Sequence, residues 1–262
     1  MGQPVTRRPL IVEFIGFTGA GKSTIADKLV QSLEHRGLNA VDVKDLIRDR
    51  WRDKNRHARK ANRFFFHLGY PFRNWKLCTC ALKYVLGTRP IRLKEIKWIR
   101  YLFVLDWIYK EIRADKSSNG YEVAISSDGF LQIIWTLTLL KQAPSHDDLR
   151  LFLETVLEDH DVYPVIFVID AEEAYSRVRG RHEAGSRLAR LTRDEFVQRL
   201  VSNRETLEAI FQISRARSSF GSLSVHTSKK VEENLHIIIR ELEAKLRPPT
   251  DEQCVERDEM HK

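Results

Sequence analysis

The sequence predicts a three-layer α/β fold with a five-stranded parallel sheet and helices on both of its faces. Short apolar, β-branched runs alternate along the chain with segments whose apolar residues have helical spacing. One run, Val165–Ile169, is apolar throughout, which is typical of a strand buried on both faces of a parallel sheet. The first run, Leu10–Ile15, leads through glycines into a helical segment, as expected of a strand that begins a crossover connection.

The remaining elements follow in order from the N-terminus. The predicted strands are Leu10–Ile15, Asn39–Val43, Tyr121–Ile125, Val165–Ile169 and Leu223–Thr227. The predicted helices are Ile25–Leu33, Ile96–Ile112, a helix from Ser145 through Leu157, one that Asp170 and Glu173 cap, one from about Arg193 to Ser214, and a last amphipathic helix that begins at Ser228. Thr192 and Glu195 have the three-residue spacing of a capping box.

The segment 44–113 is expected to be a helical, acceptor-binding insertion within one domain that spans residues 1–246. Its pattern is mostly helical, with breaks at Gly69–Pro71 and Gly87–Pro90. It carries 19 Lys and Arg against 6 Asp and Glu, a local charge of +13, whereas the whole chain carries +8. Residues 247–262 contain two adjacent prolines and many charges, so we expect a flexible tail there.

Composition argues against several classes of protein. The 262 residues are 42% hydrophobic and 31% charged, which favours a packed core over disorder. The three cysteines fit neither a disulfide framework nor a metal site of the CxxC type. The longest apolar run, Ile133–Leu140, is too short to span a bilayer, and the N-terminus has no signal-peptide pattern. We therefore expect a cytoplasmic protein without a transmembrane segment.

A phosphate-binding motif follows the first strand. Residues 16–23 fit G-x-x-x-x-G-K-[ST] and lie between a strand and a helix, as this motif requires. Glycines allow the backbone to curl so that N–H groups point at phosphate oxygens, and the helix N-terminus adds its positive dipole end. The residues expected to bind the nucleotide are Gly16, Thr18, Gly19, Ala20, Gly21, Lys22, Ser23 and Thr24.

Two side chains of the motif have specific expected roles. Lys22 should reach the β- and γ-phosphates of a nucleoside triphosphate, and the Ser23 hydroxyl should join the shell of Mg²⁺. An ordinary glycine-rich turn would explain the glycines but not Lys-Ser at this offset. The motif therefore predicts binding of ATP with Mg²⁺ and leaves the reaction open.

With this motif and this order of elements, the chain resembles the P-loop kinases of the thymidylate kinase and nucleotide kinase group. The resemblance extends from Leu10 to about Leu246. It implies that the strand before the loop is central in the sheet. It also implies a mobile lid, here residues 177–191, between the fourth and fifth strands.

The lid expectation depends on three arginines. Arg177 and Arg181 lie four residues apart and so share a helix face, and Arg187 follows a glycine-flanked stretch. In the kinases that the chain resembles, lid arginines fold over the triphosphate and stabilise charge on the transferred phosphoryl group. The alternative is an exposed basic helix end, where cations favour the helix dipole.

Two carboxylates follow the third and fourth predicted strands. Asp128 projects at the carboxyl edge of the sheet, where we expect it to order Mg²⁺ through water or to accept the acceptor's proton. Asp170 has a sufficient explanation as a helix N-cap. Members of the kinase group that this chain resembles carry arginine where this chain has Gly129. The resemblance therefore implies that the arginine contact with the phosphate of a nucleoside monophosphate is missing here.

The acceptor is expected beyond the second strand, where Asp42, Asp45 and Arg48 lie. A carboxylate there could take a proton from an attacking hydroxyl, an arrangement weakly similar to that of adenylylsulfate kinases. Equally, Asp42 and Asp45 are acids at a helix start, placed favourably for its dipole. The basic run over residues 48–63 suits an anionic acceptor, and it would also suit nucleic acid or an anionic membrane surface.

These observations predict an ATP- and Mg²⁺-dependent kinase that acts on a small acceptor: a nucleoside- or nucleotide-like compound, a sugar or another anionic metabolite. One alternative is a polynucleotide 5′-hydroxyl kinase, which would account for the basic block. Another is a non-catalytic nucleotide-binding switch or scaffold, although the sequence has no Asn-Lys-x-Asp motif of a GTPase. Nucleic acid and a membrane surface stay open as partners, and a homo-oligomer is expected.

Overall fold

A five-stranded parallel sheet forms the centre of the computed structural model, which describes residues 8–50, 69–70, 72–86, 93–114, 120–139, 145–180, 191–227 and 230–246. The strands are β1 (Leu10–Gly16), β2 (Ala40–Asp42), β3 (Val123–Ser126), β4 (Val162–Val168) and β5 (Leu223–His226). Their order is β2-β3-β1-β4-β5, and every neighbouring pair is parallel. The predicted fold class and the central position of the first strand are confirmed.

Helices cover both faces of this sheet. They are α1 (Lys22–His35), α2 (Val43–Arg50), α3 (Trp75–Leu86), α4 (Leu93–Arg113), α5 (Phe130–Leu139), α6 (His146–Val156), α7 (Ala171–Gly180), α8 (Arg193–Ser202), α9 (Arg204–Arg217) and α10 (Val231–Leu246). Helix α1 packs on α10 and the sheet, whereas α5 packs on β1, α4, α6 and α9. The connections from β1 to β2 and from β3 to β4 run in opposite directions along the sheet, so right-handed crossovers place α1 and α5 on opposite faces.

The strand register brings three chain segments to one edge of the sheet. Asp42 ends β2 and pairs with Ile125 of β3, while Glu13 of β1 pairs with Ser126 at the end of β3. Because the strands are parallel, the segments that follow β2, β3 and β1 all leave from the carboxyl edge. This edge is where open α/β sheets bind ligands.

Helix α5 is buried almost completely. Nine of its ten residues are buried. The helix includes the apolar run from Ile133 to its own last residue, Leu139. A helix that is apolar all round has no polar face and therefore no helical periodicity. For this reason the sequence pattern predicts no element between the third and fourth strands until Ser145.

The long helix predicted after Thr192 is divided in two. The capping box of Thr192 and Glu195 is confirmed, and α8 then ends before Asn203. The Asn203 side chain donates from Nδ2 to the carbonyl of Arg199 at 2.8 Å. Asparagine competes in this way for backbone groups, which favours helix ends over helix interiors.

The insertion predicted over residues 44–113 contains α2, α3 and α4 among its described residues. Helix α4 packs against α2 and α5, so this part of the chain contacts the main sheet domain. The predicted tail 247–262 and residues 51–68 of the basic block lie outside the described residues, and the domain limits stay predictions. Within the described part of the chain, no helix is both long and apolar enough to span a membrane.

A buried polar cluster ties α4 to the amino end of β4. Asp106 accepts from His160 Nε2 at 2.7 Å through Oδ1, and from Tyr70 Oη at 2.5 Å and Lys110 Nζ at 3.1 Å through Oδ2. Burial alone would raise the pKa of Asp106, but the hydrogen bonds from His160 and Tyr70 and the neighbouring cations hold it below the ordinary value. The cluster lies at the opposite edge of the sheet from the glycine-rich loop.

The Asp106 cluster predicts a large stability effect. Asp106→Ala removes the acceptor of the buried His160 Nε2 group and the carboxylate that Tyr70 and Lys110 also contact, so we expect the free energy of unfolding to fall by about 3–5 kcal/mol. Urea denaturation followed by circular dichroism measures it. Glu208→Ala is the control, because Glu208 accepts from Arg204 at 3.1 Å in an exposed pair of the same i,i+4 spacing. That change should cost less than about 0.5 kcal/mol, and equal losses in the two variants would contradict the assignment.

Candidate functional site

The glycine-rich loop joins β1 to α1 at the carboxyl edge. Gly19 has φ +94°, and a Cβ there would lie 2.8 Å from the Ala174 carbonyl oxygen, so the loop can pack on α7 only with glycine at this position. Gly21 is the N-cap of α1 and has no side chain to accept from the first turn, which also contains no acidic residue. The N–H groups of a helix's first turn have no intrahelical acceptor, so this end of α1 is suited to bind an anion.

Lys22 lies folded back over the loop. Its Nζ donates to the carbonyl oxygens of Gly16 at 2.9 Å and Phe17 at 3.0 Å, and the residue is only 9% exposed. By contrast, Ser23 and Thr24 are exposed on the first turn of α1. The ammonium and the two hydroxyls therefore lie on the same loop-to-helix junction as the backbone N–H groups.

Helix α5 holds the start of the loop. The Gly16 N–H donates to Oε1 of Gln132 at 3.1 Å, and both groups are buried. One residue further, the Phe17 ring stacks on Trp135 with 5.8 Å between ring centroids. The loop is thus fixed to the same helix that follows β3.

Glu13 is a buried carboxylate in the middle of β1 that the sequence analysis did not identify. Its oxygens accept from the N–H groups of Phe130 at 3.0 Å and Leu131 at 2.9 Å, and from Tyr109 Oη at 2.7 Å. Burial raises the pKa of Glu13, and these three donors act in the opposite direction. The carboxylate therefore caps the N-terminus of α5 from inside the protein. The available sequence signal was a single acid inside an otherwise apolar strand.

The position of Glu13 explains why residue 129 is glycine. A Cβ on Gly129 would lie 2.5 Å from the Glu13 Cδ atom and 2.6 Å from its Oε1 atom. The space beside this turn is filled by the carboxylate of β1, and any larger residue would have to displace it. The structure thus gives a steric reason for glycine at position 129.

Asp42 and Asp128 follow adjacent strands at the carboxyl edge. Asp42 ends β2, and Asp128 lies in the turn between β3 and α5, where it is partly exposed. Tyr101 of α4 lies near both: burial raises the pKa of its hydroxyl, and the charges of Asp128 and Asp42 raise it further. The structure thus brings the two carboxylates to one region beside the strand that carries the loop.

The other two acceptor-side candidates are arranged differently from Asp42. Asp42 is 6% exposed, its Oδ1 accepts from the Lys44 N–H at 2.8 Å, and burial raises its pKa. Asp45 and Arg48 are exposed on α2 and pair with each other at 3.0 Å. Asp42 thus lies at the start of α2, as the helix-start alternative expects, and its contact with the helix uses one carboxylate oxygen.

Of the predicted lid, residues 177–191, the structure describes only 177–180 and 191. Arg177 Nη2 donates to Glu173 Oε1 at 2.5 Å and to the Thr227 carbonyl at 2.9 Å, which ties α7 to the end of β5. Arg181 and Arg187 lie outside the described residues.

The capping role expected of Asp170 is confirmed, because its Oδ1 accepts from the Glu172 N–H at 2.8 Å.

The residues expected at a magnesium site fit a nucleotide-bound ion. In the described part of the chain no group of three or more His, Cys, Asp or Glu could hold a metal by itself. Mg²⁺ that accompanies a nucleotide needs only one or two protein oxygens, since phosphates and water supply the others. The exposed Ser23 hydroxyl and the partly exposed Asp128 carboxylate carry oxygens of the type that such an ion binds.

The contact between Gly129 and Glu13 predicts a non-additive pair of substitutions. Gly129→Ala should lower the free energy of unfolding by about 1–3 kcal/mol, because the new Cβ overlaps the carboxylate. The same change in a Glu13→Ala background should cost much less, since the obstructing side chain is gone. Gly180→Ala is the control, because no atom lies within 4 Å of a Cβ built there. Urea denaturation of the four proteins of the cycle measures the coupling, and strict additivity would contradict the contact.

No family model and no curated protein matches the chain. Among solved structures, it is similar to a deoxyadenosine kinase from M. mycoides with products dCMP and a flexible dCDP bound, at 14% identity and a TM-score of 0.48 over 90% of this chain and 100% of that one. It is also similar to the same enzyme with bound dATP, at 15% identity and a TM-score of 0.48 over 89% of this chain and 100% of that one. A protein named APE1195 gives 16% identity and a TM-score of 0.41 over 92% of this chain and 98% of that one.

Proposed function

We propose that this protein is an ATP-dependent kinase that transfers the γ-phosphoryl group to a small acceptor. The observation that carries the proposal is the common location of an anion-binding loop and two carboxylates. The loop with Lys22 follows β1, Asp128 follows β3 and Asp42 ends β2, and these three strands are neighbours in the sheet. Phosphoryl transfer needs chiefly such positioning and charge stabilisation, with little covalent chemistry from the protein.

The nucleotide end of the site is assigned to the loop and the start of α1. Backbone N–H groups of the loop and the first helical turn would bind the phosphates, and Lys22 would exchange its loop carbonyls for phosphate oxygens. Ser23 and Asp128 would hold Mg²⁺, which when bound neutralises part of the phosphate charge. Arg177, Arg181 and Arg187 are proposed as lid arginines, with Arg177 fixed by the Thr227 carbonyl at the border of the lid.

The acceptor end is assigned to Asp42. Its cap on α2 uses Oδ1, which leaves the carboxylate rigidly placed for proton transfer through Oδ2. A carboxylate with a raised pKa is a better proton acceptor than an ordinary aspartate. Asp45 and Arg48 are proposed to line the outer part of the acceptor site as a charge pair.

The experiment that tests the function is incubation with γ-labelled ATP and a panel of acceptors. The panel holds nucleosides, nucleotides, sugars, anionic metabolites and oligonucleotides. Label on a small molecule supports the proposal. Label on oligonucleotide 5′ ends would replace it with a polynucleotide kinase, and slow hydrolysis with no labelled product would replace it with a switch or scaffold.

Removal of the loop lysine gives a direct prediction. Lys22→Ala should lower kcat/KM for phosphoryl transfer by about 10²-fold or more, because a charge that stabilises the transferred group is lost. Lys28→Ala is the matched control: Lys28 lies on the same helix and pairs with Glu232 on the surface at 2.9 Å. The control should retain activity within about twofold, as expected of an exposed pair. Near-normal transfer by a folded Lys22 variant would contradict the site.

The proposed base predicts a pH dependence. Asp42→Asn should lower kcat by about 10²–10⁴-fold. A general base acts only when ionised, so wild-type activity should fall as pH drops through the Asp42 pKa, which burial places above the ordinary value of about 4. The residual activity of the variant should lack this acid limb. Asp49→Asn, on the exposed side of α2, should keep both the rate and the profile, and an unchanged profile in the Asp42 variant would remove the base role.

A further inference from the structure

An exposed apolar surface lies on α3 and the helical residues just before it. We define the α3 face as Phe72, Trp75 and Leu82, which are 83%, 69% and 36% exposed. Residues 72 and 73 are helical, Asn74 forms a turn and α3 begins at Trp75. Helix-type hydrogen bonds span the turn, from the Asn74 N–H to the Tyr70 carbonyl and from the Cys78 N–H to the Asn74 carbonyl, both at 3.0 Å. Residues at 72, 75 and 82 therefore lie on one side of the helix.

The opposite side of α3 is already packed. Leu77, Ala81 and Tyr84 are buried, and the Tyr84 ring stacks on Phe152 of α6 with 4.5 Å between centroids. The α3 face is thus held away from the core of its own domain.

Thr79 lies between Trp75 and Leu82 on the exposed side of α3. Its hydroxyl donates to the carbonyls of Trp75 and Lys76 at 2.9 and 3.1 Å. Its polar group is satisfied within the helix.

The charged side chains that this segment itself carries are all cations. Residues 69–86 contain Arg73, Lys76 and Lys83 and no aspartate or glutamate. Lys76 pairs with Glu158, whereas Arg73 and Lys83 are exposed. A helix with exposed aromatic residues on one side and cations beside them has the composition of an interfacial membrane helix.

We propose that the α3 face binds the surface of an anionic lipid membrane. Trp and Phe favour the headgroup region, and each nearby cation strengthens binding to anionic lipid by about fivefold. A second copy of the chain fits this face less well. In a two-fold contact through this face, the cations of each copy would meet a segment that carries cations and no carboxylate. The proposal is independent of the kinase assignment, because it uses none of the loop or carboxylate residues.

Co-sedimentation with vesicles tests the proposal. The full-length protein should bind vesicles of phosphatidylcholine with phosphatidylglycerol, bind phosphatidylcholine alone much more weakly, and release as salt rises. The double variant Phe72→Ser and Trp75→Ser should lower the partition coefficient by about tenfold or more. Both side chains are exposed, so the fold should be retained. Val201→Ser, which removes an apolar residue 60% exposed on α8, should bind as wild type does.

Three results would overturn the proposal. One is vesicle binding that the double variant leaves intact. Another is equal binding to charged and uncharged vesicles. The third is a wild-type protein that does not bind vesicles and forms a dimer in analytical ultracentrifugation, where the double variant is a monomer. That result would assign the α3 face to a second copy. Circular dichroism of each variant separates these results from loss of fold.

Discussion

The candidate site depends on one buried interaction, the Glu13 carboxylate beneath the first turn of α5. It joins the central strand β1 to the helix that follows β3 through two backbone N–H groups. The same helix holds the start of the glycine-rich loop through Gln132 and Trp135. The loop and the turn that carries Asp128 therefore share one support. A buried carboxyl group in this place is tolerated because its oxygens accept three hydrogen bonds and it faces a helix N-terminus.

Local patterns in the sequence were sufficient to predict the sheet and the loop. A buried parallel strand and a glycine-rich turn before Lys-Ser each depend on neighbouring residues, so both can be read from a short window. Helix α5 could not be predicted in this way because it is buried on every side. The role of Glu13 depends on residues more than ninety positions away in the chain. Contacts of this kind produce no local residue pattern from which they could be predicted. The lid arginines Arg181 and Arg187 stay predictions.

At the acceptor side, the sequence analysis left two roles open for Asp42, proton acceptor and helix-start acid, and the helix-start contact does not exclude the proposed proton transfer. A carboxylate has two oxygens, and the cap on α2 occupies one of them. Asp45 and Arg48, which the sequence placed in the same group, neutralise each other on an exposed helix face. Asp42 is buried, whereas Asp45, three residues later, has an exposed side chain. Neither the composition of this segment nor its residue spacing predicts this difference in burial.

The crowding between Gly129 and Glu13 limits how this protein can change over evolution. An arginine introduced alone at position 129 would meet an occupied volume, so the loss of the acid at position 13 would have to come first or together with it. Removal of the acid alone would in turn leave the start of α5 without its cap. Positions 13 and 129 are therefore expected to covary among homologous sequences, with an acid opposite glycine in one lineage and a smaller, uncharged residue opposite a bulky one in another.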